Sequence, residues 1–321
     1  MPIPGKRVLV TGAGGFVGRL LLRTLKSQEG TVVRGTTRGR ANPDSSEALD
    51  LLDVTDESAV ARCIATFRPS HIVNLAGVSS LAVSEADVNS TWSVHLHGTL
   101  NIARAVLREV PDCTLLVIGS GEMYGSTALS GRPLGETSIL APISEYAASK
   151  AAADLAVGAM TRKGLRAVRL RPFNHTGPGQ SDHFVVPSFA SQIVAIEAGV
   201  SDPVIRVGNL DAERDFVDVR DVVGAYVAAI ERSHHLPSDS IFNVASGSAT
   251  RIGDLLSGLL ALSSARIRVE QDPDRVRPIE IRRYVGSAER AREVLSWKPR
   301  YALSETLKDV YEFYRRRHGL Q

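Results

Sequence analysis

The eight residues Thr11-Gly12-Ala13-Gly14-Gly15-Phe16-Val17-Gly18 constrain this chain more than any other stretch. They follow the apolar run Val8-Leu9-Val10 and lead into Arg19 to Leu25, where apolar residues recur at helical spacing. Gly12, Gly15 and Gly18 keep the spacing G-x-x-G-x-x-G. Glycine at such positions turns the chain tightly, lets backbone approach a pyrophosphate, and lets helix and strand pack closely. The helix start then presents unpaired N–H groups and a partial positive charge. Gly12, Gly15, Phe16, Val17 and Gly18 are therefore the expected cradle for the pyrophosphate of a dinucleotide.

The rest of the first half repeats the strand–helix alternation. Arg7–Val10, Thr31–Arg34, His71–Leu75, Thr114–Ile118 and Ala167–Leu170 read as strands, with helical patterns at Gly15–Leu25 and Thr91–Val110. Continuous apolar strands belong to a sheet buried on both faces. The expected fold class is α/β, a Rossmann-type doubly wound parallel sheet with a smaller C-terminal α/β substrate lobe. After Arg171 the composition shifts: Pro172 to Gln180 reads as a loop, Val186–Glu197 as a helix and Val204–Val207 as a strand. Strand–helix alternation returns over Phe216 to Val244, a charged segment spans Arg268–Gly286, and a last helix starts at Leu303. The expected division is a dinucleotide-binding domain over residues 1–172 plus the returning segment 216–244. Residues 173–215 and 245–321 form the substrate-binding lobe.

Composition removes several function classes. The 321 residues are 43% hydrophobic and 23% charged, which excludes collagen, disordered and disulfide-scaffold chains. The formal charge of +3 and an aromatic content of 5% do not call for nucleic acid, and no basic run with interleaved aromatics occurs. Cys63 and Cys113 lie in no C-x-x-C or His/Cys cluster, so two free thiols are expected, with no metal site. No apolar run approaches the ~18 residues of a membrane span. The N-terminus runs directly into a strand, and the expected location is the cytoplasm.

The end of the second strand bears on the choice of dinucleotide. An NAD site places Asp or Glu about 20 residues after the glycine loop, on the ribose 2′-hydroxyl. The stretch Thr31 to Arg40 contains no acid and carries Thr36, Thr37 and Arg38 instead, which suits a 2′-phosphate. NADP(H) is expected over NAD(H). Asp53 and Val54 follow the third strand region and face an adenine in this arrangement. Leu75, Ala76 and Gly77, after Asn74, let backbone approach the cofactor.

Tyr146-Ala147-Ala148-Ser149-Lys150 places a phenol and an ammonium at i and i+4 on one helix face. A nearby lysine lowers a phenol's pKa and makes it a usable proton donor or acceptor. Ser120, just past the strand Thr114–Ile118, has a hydroxyl able to bond a substrate carbonyl.

Taken in order, TGAGGFVG, NLAG, GSGEMYG and YAASK resemble the extended short-chain dehydrogenase/reductase family of nucleotide-sugar epimerases, dehydratases and reductases. The resemblance covers essentially the whole chain. It implies that Tyr146 is the acid/base, that Lys150 holds the nicotinamide ribose and tunes Tyr146, and that Ser120 orients the sugar oxygen. His175 is implied on the cofactor side. RPFNHTGPGQ (171–180), VGNLDAERDF (207–216), FNVASG (242–247), RPIE (277–280) and WKP (297–299) are similar to the branch acting on GDP-mannose derivatives.

Within that branch the likeness is greatest to reductases of GDP-4-dehydro-6-deoxy-D-mannose, which form GDP-D-rhamnose. It implies a GDP-linked 4-keto-6-deoxy sugar held by Asn174, Arg214, Arg277 and Glu280. Arg214 also has the plainer reading of a salt bridge to Asp215 or Asp218. The family further implies a homodimer whose helices Thr91–Val110 and Tyr146–Lys163 pair as a four-helix bundle.

Two positions set this chain apart. His95 stands where the family commonly has Asn before x-x-G-T, and it either contacts the active-site helix, packs, or titrates near neutral pH. Glu122 stands where the related GDP-mannose 4,6-dehydratases keep the base for the C5 proton. A 4,6-dehydratase, an epimerase and a reductase forming GDP-6-deoxy-D-talose are the alternatives, with a non-catalytic dinucleotide-binding regulator a more distant one. That last class commonly loses the tyrosine–lysine pair, which this chain keeps.

Overall fold

The computed structural model describes residues 5–39, 48–79, 81–275 and 281–320. Strand β1 (Lys6–Thr11) passes through the glycine loop into helix α1 (Phe16–Lys26), and β2 (Thr31–Thr37), β3 (Asp50–Leu51), α2 (Glu57–Phe67) and β4 (His71–Asn74) follow. Next come α3 (Leu81–Ala86), α4 (Val88–Trp92), α5 (Thr99–Glu109), β5 (Thr114–Ile118), α6 (Glu145–Met160) and β6 (Arg166–Pro172). The remainder carries β7 (Asn174–Thr176), α7 (Val185–Glu197), β8 (Val204–Val207), β9 (Glu213–Arg214), β10 (Phe216–Asp218), α8 (Val219–Arg232) and β11 (Asp239–Val244). It closes with β12 (Thr250–Arg251), α9 (Ile252–Leu260), β13 (Arg268–Gln271), β14 (Arg283–Tyr284), α10 (Glu289–Leu295) and α11 (Leu303–Arg317).

The main sheet has seven strands in the order β11-β6-β5-β4-β1-β2-β3. Every pairing in it is parallel, with Val10 opposite Val73 and Leu116 opposite Val168. The α/β doubly wound class is thus the fold of the chain. Strand order reverses between β1 and β4, and at such a reversal the crossover helices diverge to opposite faces and leave a crevice at the carboxyl ends. Val8, Leu9 and Val10 are buried because α1 and α8 cover one face while α2 and α5 cover the other. A third apolar cluster gathers α7, α9 and α11 through Phe189, Ile193, Leu255, Leu259, Val310 and Tyr311. Among the described residues, three small two- or three-stranded sheets, including β12-β9-β14, sit beside the main one.

Two elements differ from the sequence reading. The helix expected over Thr91–Val110 is interrupted: α4 ends at Trp92, Ser93–Gly98 form a π-helical turn, and α5 starts at Thr99. The inserted residue of a π-turn changes the direction of the side chains that follow, and such turns occur often at functional sites. The stretch Pro172 to Gln180, expected as loop, contains β7, which pairs with β10.

Behind the sheet, Asp154 of α6 is 1% exposed and accepts from Arg169 Nη1 at 2.7 Å and Arg171 Nη2 at 2.8 Å. Arg171 also donates to the Tyr124 hydroxyl at 3.0 Å, and that hydroxyl donates to Asn243 Oδ1 at 2.7 Å. This network ties α6 to β6 and β11. Both cysteines are free thiols, Cys113 buried. Among the described residues no helix is long and apolar enough to cross a membrane.

Among the described residues, removing Asp154 would leave Arg171 buried without a carboxylate partner and Arg169 with Asp239 alone. Asp154→Ala is therefore expected to lower unfolding free energy by about 3–5 kcal/mol. Urea denaturation of the two proteins checks this.

Candidate active site

The site assembles at the carboxyl ends of the parallel strands. Gly12 has φ +66, and a Cβ there would lie 2.6 Å from the Leu75 carbonyl carbon and 2.7 Å from Ala76 N. Only glycine allows this approach of β1 to the end of β4. Gly18 is held as closely, since its missing Cβ would strike the Gly12 carbonyl and the Ala13 backbone. Helix α1 has Gly15 as its N-cap, with no side-chain cap and no acid in its first turn. Its leading amides and the bare glycine backbone fit a pyrophosphate. Thr37 Oγ1 lies beside Gly14, and Arg38 is exposed next to Asp53. The Thr55 hydroxyl and amide, with Arg38, hold the Asp53 carboxyl below the usual range. Val54 is buried against Gly98 of the π-turn. Arg40, Arg277 and Glu280 lie outside the described residues.

One strand end links the cradle to the reactive side chains. Thr11 donates to Asn74 Oδ1 at 2.7 Å, Asn74 donates to Thr99 Oγ1 at 3.0 Å, and Thr99 donates to the His95 carbonyl at 2.6 Å. Two residues past Leu75, Gly77 packs against His95 Nε2 and the Lys150 ammonium. Sequence reasoning missed Asn74's bridging role, Thr99 and Ser149. The polar residue at each strand end was visible, but the pairing depends on the register of the π-turn.

Helix α6 opens with Ser144, whose hydroxyl accepts from Ala147 N, so Tyr146 sits in the first turn and Lys150 one turn later. Lys150 Nζ donates to the Ile118 carbonyl at 3.0 Å, at the end of β5 and two residues before Ser120. Burial pulls the ammonium down to about 8. Contrary to the lowering by Lys150 expected from the i and i+4 spacing, burial pushes the Tyr146 phenol up to about 12, with the neighbouring Ser120 hydroxyl drawing it back and the Glu122 carboxylate adding to the rise. Ser120 Oγ accepts from Glu122 N at 3.1 Å. The structure thus brings Ser120, Glu122, Tyr146 and Lys150 together beside Leu75–Gly77.

His95 takes the contact reading and not the titrating one. It is 1% exposed, its ring meets Tyr146 edge-on at 5.5 Å, and Nδ1 lies 2.8 Å from Ser149 Oγ. Nε2 lies 3.0 Å from Val78 N and 3.1 Å from the Val78 carbonyl. Ser149 donates to the Tyr146 carbonyl at 2.9 Å, which leaves its oxygen free to accept from Nδ1–H. Burial and the Lys150 charge drive the imidazole down to about 3, so His95 is neutral at physiological pH.

On the far side of the crevice, His175 stacks parallel to Phe16 at 6.4 Å and bonds the Phe173 carbonyl through Nδ1. Asn174 opens β7 opposite Phe216. Arg214 donates to the carbonyls of Glu213 and Ile281 at 2.9 and 2.8 Å. The acids offered as its partners have other bonds: Asp215 accepts from Ser246 and Gly247, and Asp218 accepts from Arg220 and Thr306.

Comparison with known proteins agrees with this architecture. Residues 9–310 match the family model for GDP-mannose 4,6 dehydratase. The chain is 33% identical to a GDP-6-deoxy-D-mannose reductase of Pseudomonas aeruginosa, over 95% of this chain and 96% of that one. It is 31% identical to GDP-mannose 4,6 dehydratase 2 of Arabidopsis thaliana, over 95% and 86% respectively. The solved structure of RMD from Pseudomonas aeruginosa complexed with NADPH superposes with a TM-score of 0.85 at 30% identity, covering 97% of this chain and 99% of that one. A Rossmann-type crevice that gathers a tyrosine–lysine pair and a strand-end serine, in a chain matched over nearly its full length, belongs to the GDP-mannose 4,6-dehydratase family of short-chain dehydrogenases/reductases, the NAD(P)-dependent nucleotide-sugar oxidoreductases.

Proposed function

We propose that this chain reduces the C4 ketone of GDP-4-dehydro-6-deoxy-D-mannose with NADPH and forms GDP-D-rhamnose. The observation that carries the reading is the convergence of Ser120, Tyr146 and Lys150 on the end of β4, directly beside the glycine cradle. The full-length likeness to a GDP-6-deoxy-D-mannose reductase supports the choice of substrate.

Gly12, Gly15, Phe16, Val17 and Gly18 would hold the pyrophosphate, with Asp53 and Val54 near the adenine. Thr37 and Arg38 favour a 2′-phosphate, since no acid occupies that strand end. Leu75, Ala76, Gly77 and His175 would line the nicotinamide half. Bound NADPH supplies the hydride that reaches C4.

The chain's own residues handle the proton and the charge. Tyr146, protonated across the physiological range, donates its phenolic proton to the C4 oxygen as negative charge develops there. Ser120 donates a hydrogen bond to the same oxygen. Lys150 stabilises the phenolate left on Tyr146 and holds the ribose hydroxyls. Asn174 and Arg214 line the substrate side, and Arg277 and Glu280 are assigned to the GDP group by sequence alone. The same reading includes a cytoplasmic location, in keeping with two free thiols, and a homodimer through the α4–α5 and α6 helices. Leu155, 58% exposed on α6, supports that interface.

A second reading, 4,6-dehydratase, is favoured by one feature: the Glu122 carboxylate stands in the same crevice and acts on the Tyr146 phenol, at the sequence position where the resemblance implies a base for the C5 proton. The two readings differ in stoichiometry. A reductase consumes one NADPH for each ketone, whereas a dehydratase regenerates its cofactor. Mixing the protein with NADPH and the 4-keto sugar is expected to abolish nicotinamide absorbance. Unchanged absorbance, with GDP-mannose turned over without added reductant, overturns the reductase reading. NMR of the product separates rhamnose from talose configuration.

Three outcomes test the residue roles. Tyr146→Phe is expected to lower kcat by about 10²–10⁴-fold while NADPH affinity, read by fluorescence titration, stays unchanged. Gly12→Ala, strained by about 1–3 kcal/mol through its positive φ, is expected to raise the NADPH Kd at least tenfold. Lys150 loses its charge as pH rises through about 8, so kcat/KM for NADPH should hold below that pH and fall above it. The falling limb should be missing from Lys150→Met.

A further inference from the structure

The loop that carries Ser120 and Glu122 is not held by its own hydrogen bonds alone. It runs through Gly121–Ser130 as irregular 3-10 turns, broken at Gly125, where φ is +47. The Ala141 carbonyl fills the place of the missing Gly125 side chain. The first turn is spanned instead by one side chain from the other end of the sequence. The Tyr284 hydroxyl donates to the Gly121 carbonyl at 2.7 Å and accepts from Gly125 N at 2.8 Å. Tyr284 is 2% exposed, and its hydroxyl is engaged by this loop on both sides. Its ring centroid lies 6.0 Å from that of Phe173, and Phe173 is wedged between Gly121 and Gly286, leaving no room for a Cβ on Gly286 and only a tight fit on Gly121.

The backbone of Tyr284 is fixed from the substrate side. It belongs to β14, which runs parallel to β9 with Tyr284 opposite Arg214. Glu213 N donates to the Arg282 carbonyl at 2.7 Å, and Asp215 N donates to the Tyr284 carbonyl at 3.0 Å. The buried Asp215 carboxylate then accepts from Ser246 N, Gly247 N and Gly286 N at 2.7, 3.0 and 3.2 Å. One phenol therefore joins the strands that carry Arg214 to the loop that carries Ser120 and Glu122.

We propose that Tyr284 is a positioning residue that transmits the placement of the β9–β14 strands to Ser120 and Glu122, and so sets the hydroxyl that orients the substrate carbonyl. The inference deepens the reductase reading and rests on it. Without the phenolic oxygen, Gly121 O and Gly125 N lose their shared partner while the ring packing against Phe173 persists. A displacement of the catalytic hydroxyl by a fraction of an ångström acts on the reacting geometry, not on the distant cofactor cradle.

The test compares wild type with Tyr284→Phe in steady-state kinetics and in native-state hydrogen exchange of the segment 120–126. The expected result is faster exchange at Gly125, a kcat lowered by about tenfold to a hundredfold, and an unchanged KM for NADPH. Tyr284→Leu, which also removes the ring, is expected to add a loss of thermal stability that Tyr284→Phe shows to a lesser degree. Faster exchange with unaltered kcat makes Tyr284 a structural strut alone and overturns the proposal. Unchanged exchange overturns it as well. A wild-type enzyme that does not consume NADPH with the 4-keto sugar defeats the reductase reading instead. The exchange comparison and kcat on the substrate that is turned over then decide Tyr284 by the same criteria.

Discussion

The contact on which the site depends is backbone against backbone, where Gly12 meets Leu75 and Ala76. It lies at the reversal of strand order between β1 and β4, the place where a doubly wound sheet opens a crevice. Because Gly12 has no side chain, the glycine loop and the end of β4 share one surface. The chain leaving β4 then passes Gly77 directly beside His95 and Lys150. The proposed cofactor cradle and the proposed acid/base pair are thus two ends of one short segment, held in register by the Thr11–Asn74–Thr99 hydrogen bonds.

The electrostatics of the pair follow from burial, not from an attraction between phenol and ammonium. A low-dielectric pocket disfavours the charged form of each group, so the phenol rises and the ammonium falls. The resulting order keeps Tyr146 protonated and leaves Lys150 close to losing its proton, an arrangement suited to giving a proton to a developing alkoxide. Glu122 pushes the phenol further in the same direction. His95 avoids a second positive charge beside Lys150 by remaining neutral, and its two ring nitrogens join the Val78 backbone to Ser149 on α6.

Much of this was legible in the order of residues. The glycine spacing after an apolar strand, the i and i+4 placement of Tyr146 and Lys150, and a serine just past β5 are local patterns, and local geometry carries them into three dimensions with little freedom. The π-turn at Ser93–Gly98 was not legible, because its apolar spacing is close to that of a plain helix. Its consequence, the aim of His95 toward Val78 and Ser149, depends on one inserted residue. Strand β7 was hidden for a related reason: its three residues lie in the proline- and glycine-rich stretch Pro172 to Gln180 that reads as a loop, and only pairing with β10 makes them a strand.

The sequence by itself determined the class of sheet, the dinucleotide loop and the identity of the reactive side chains, since each rests on contacts between near neighbours in the chain. Only the tertiary structure decided that Asp154 pairs with both Arg169 and Arg171, that Asp215 gathers the amides of three separate positions, and that Tyr284 supports the loop of Ser120. These partners are up to 163 residues apart, as Tyr284 and Gly121 are. No periodicity or spacing encodes such a pairing; it arises when packing brings a buried polar group to the one place where its hydrogen bonds can be met.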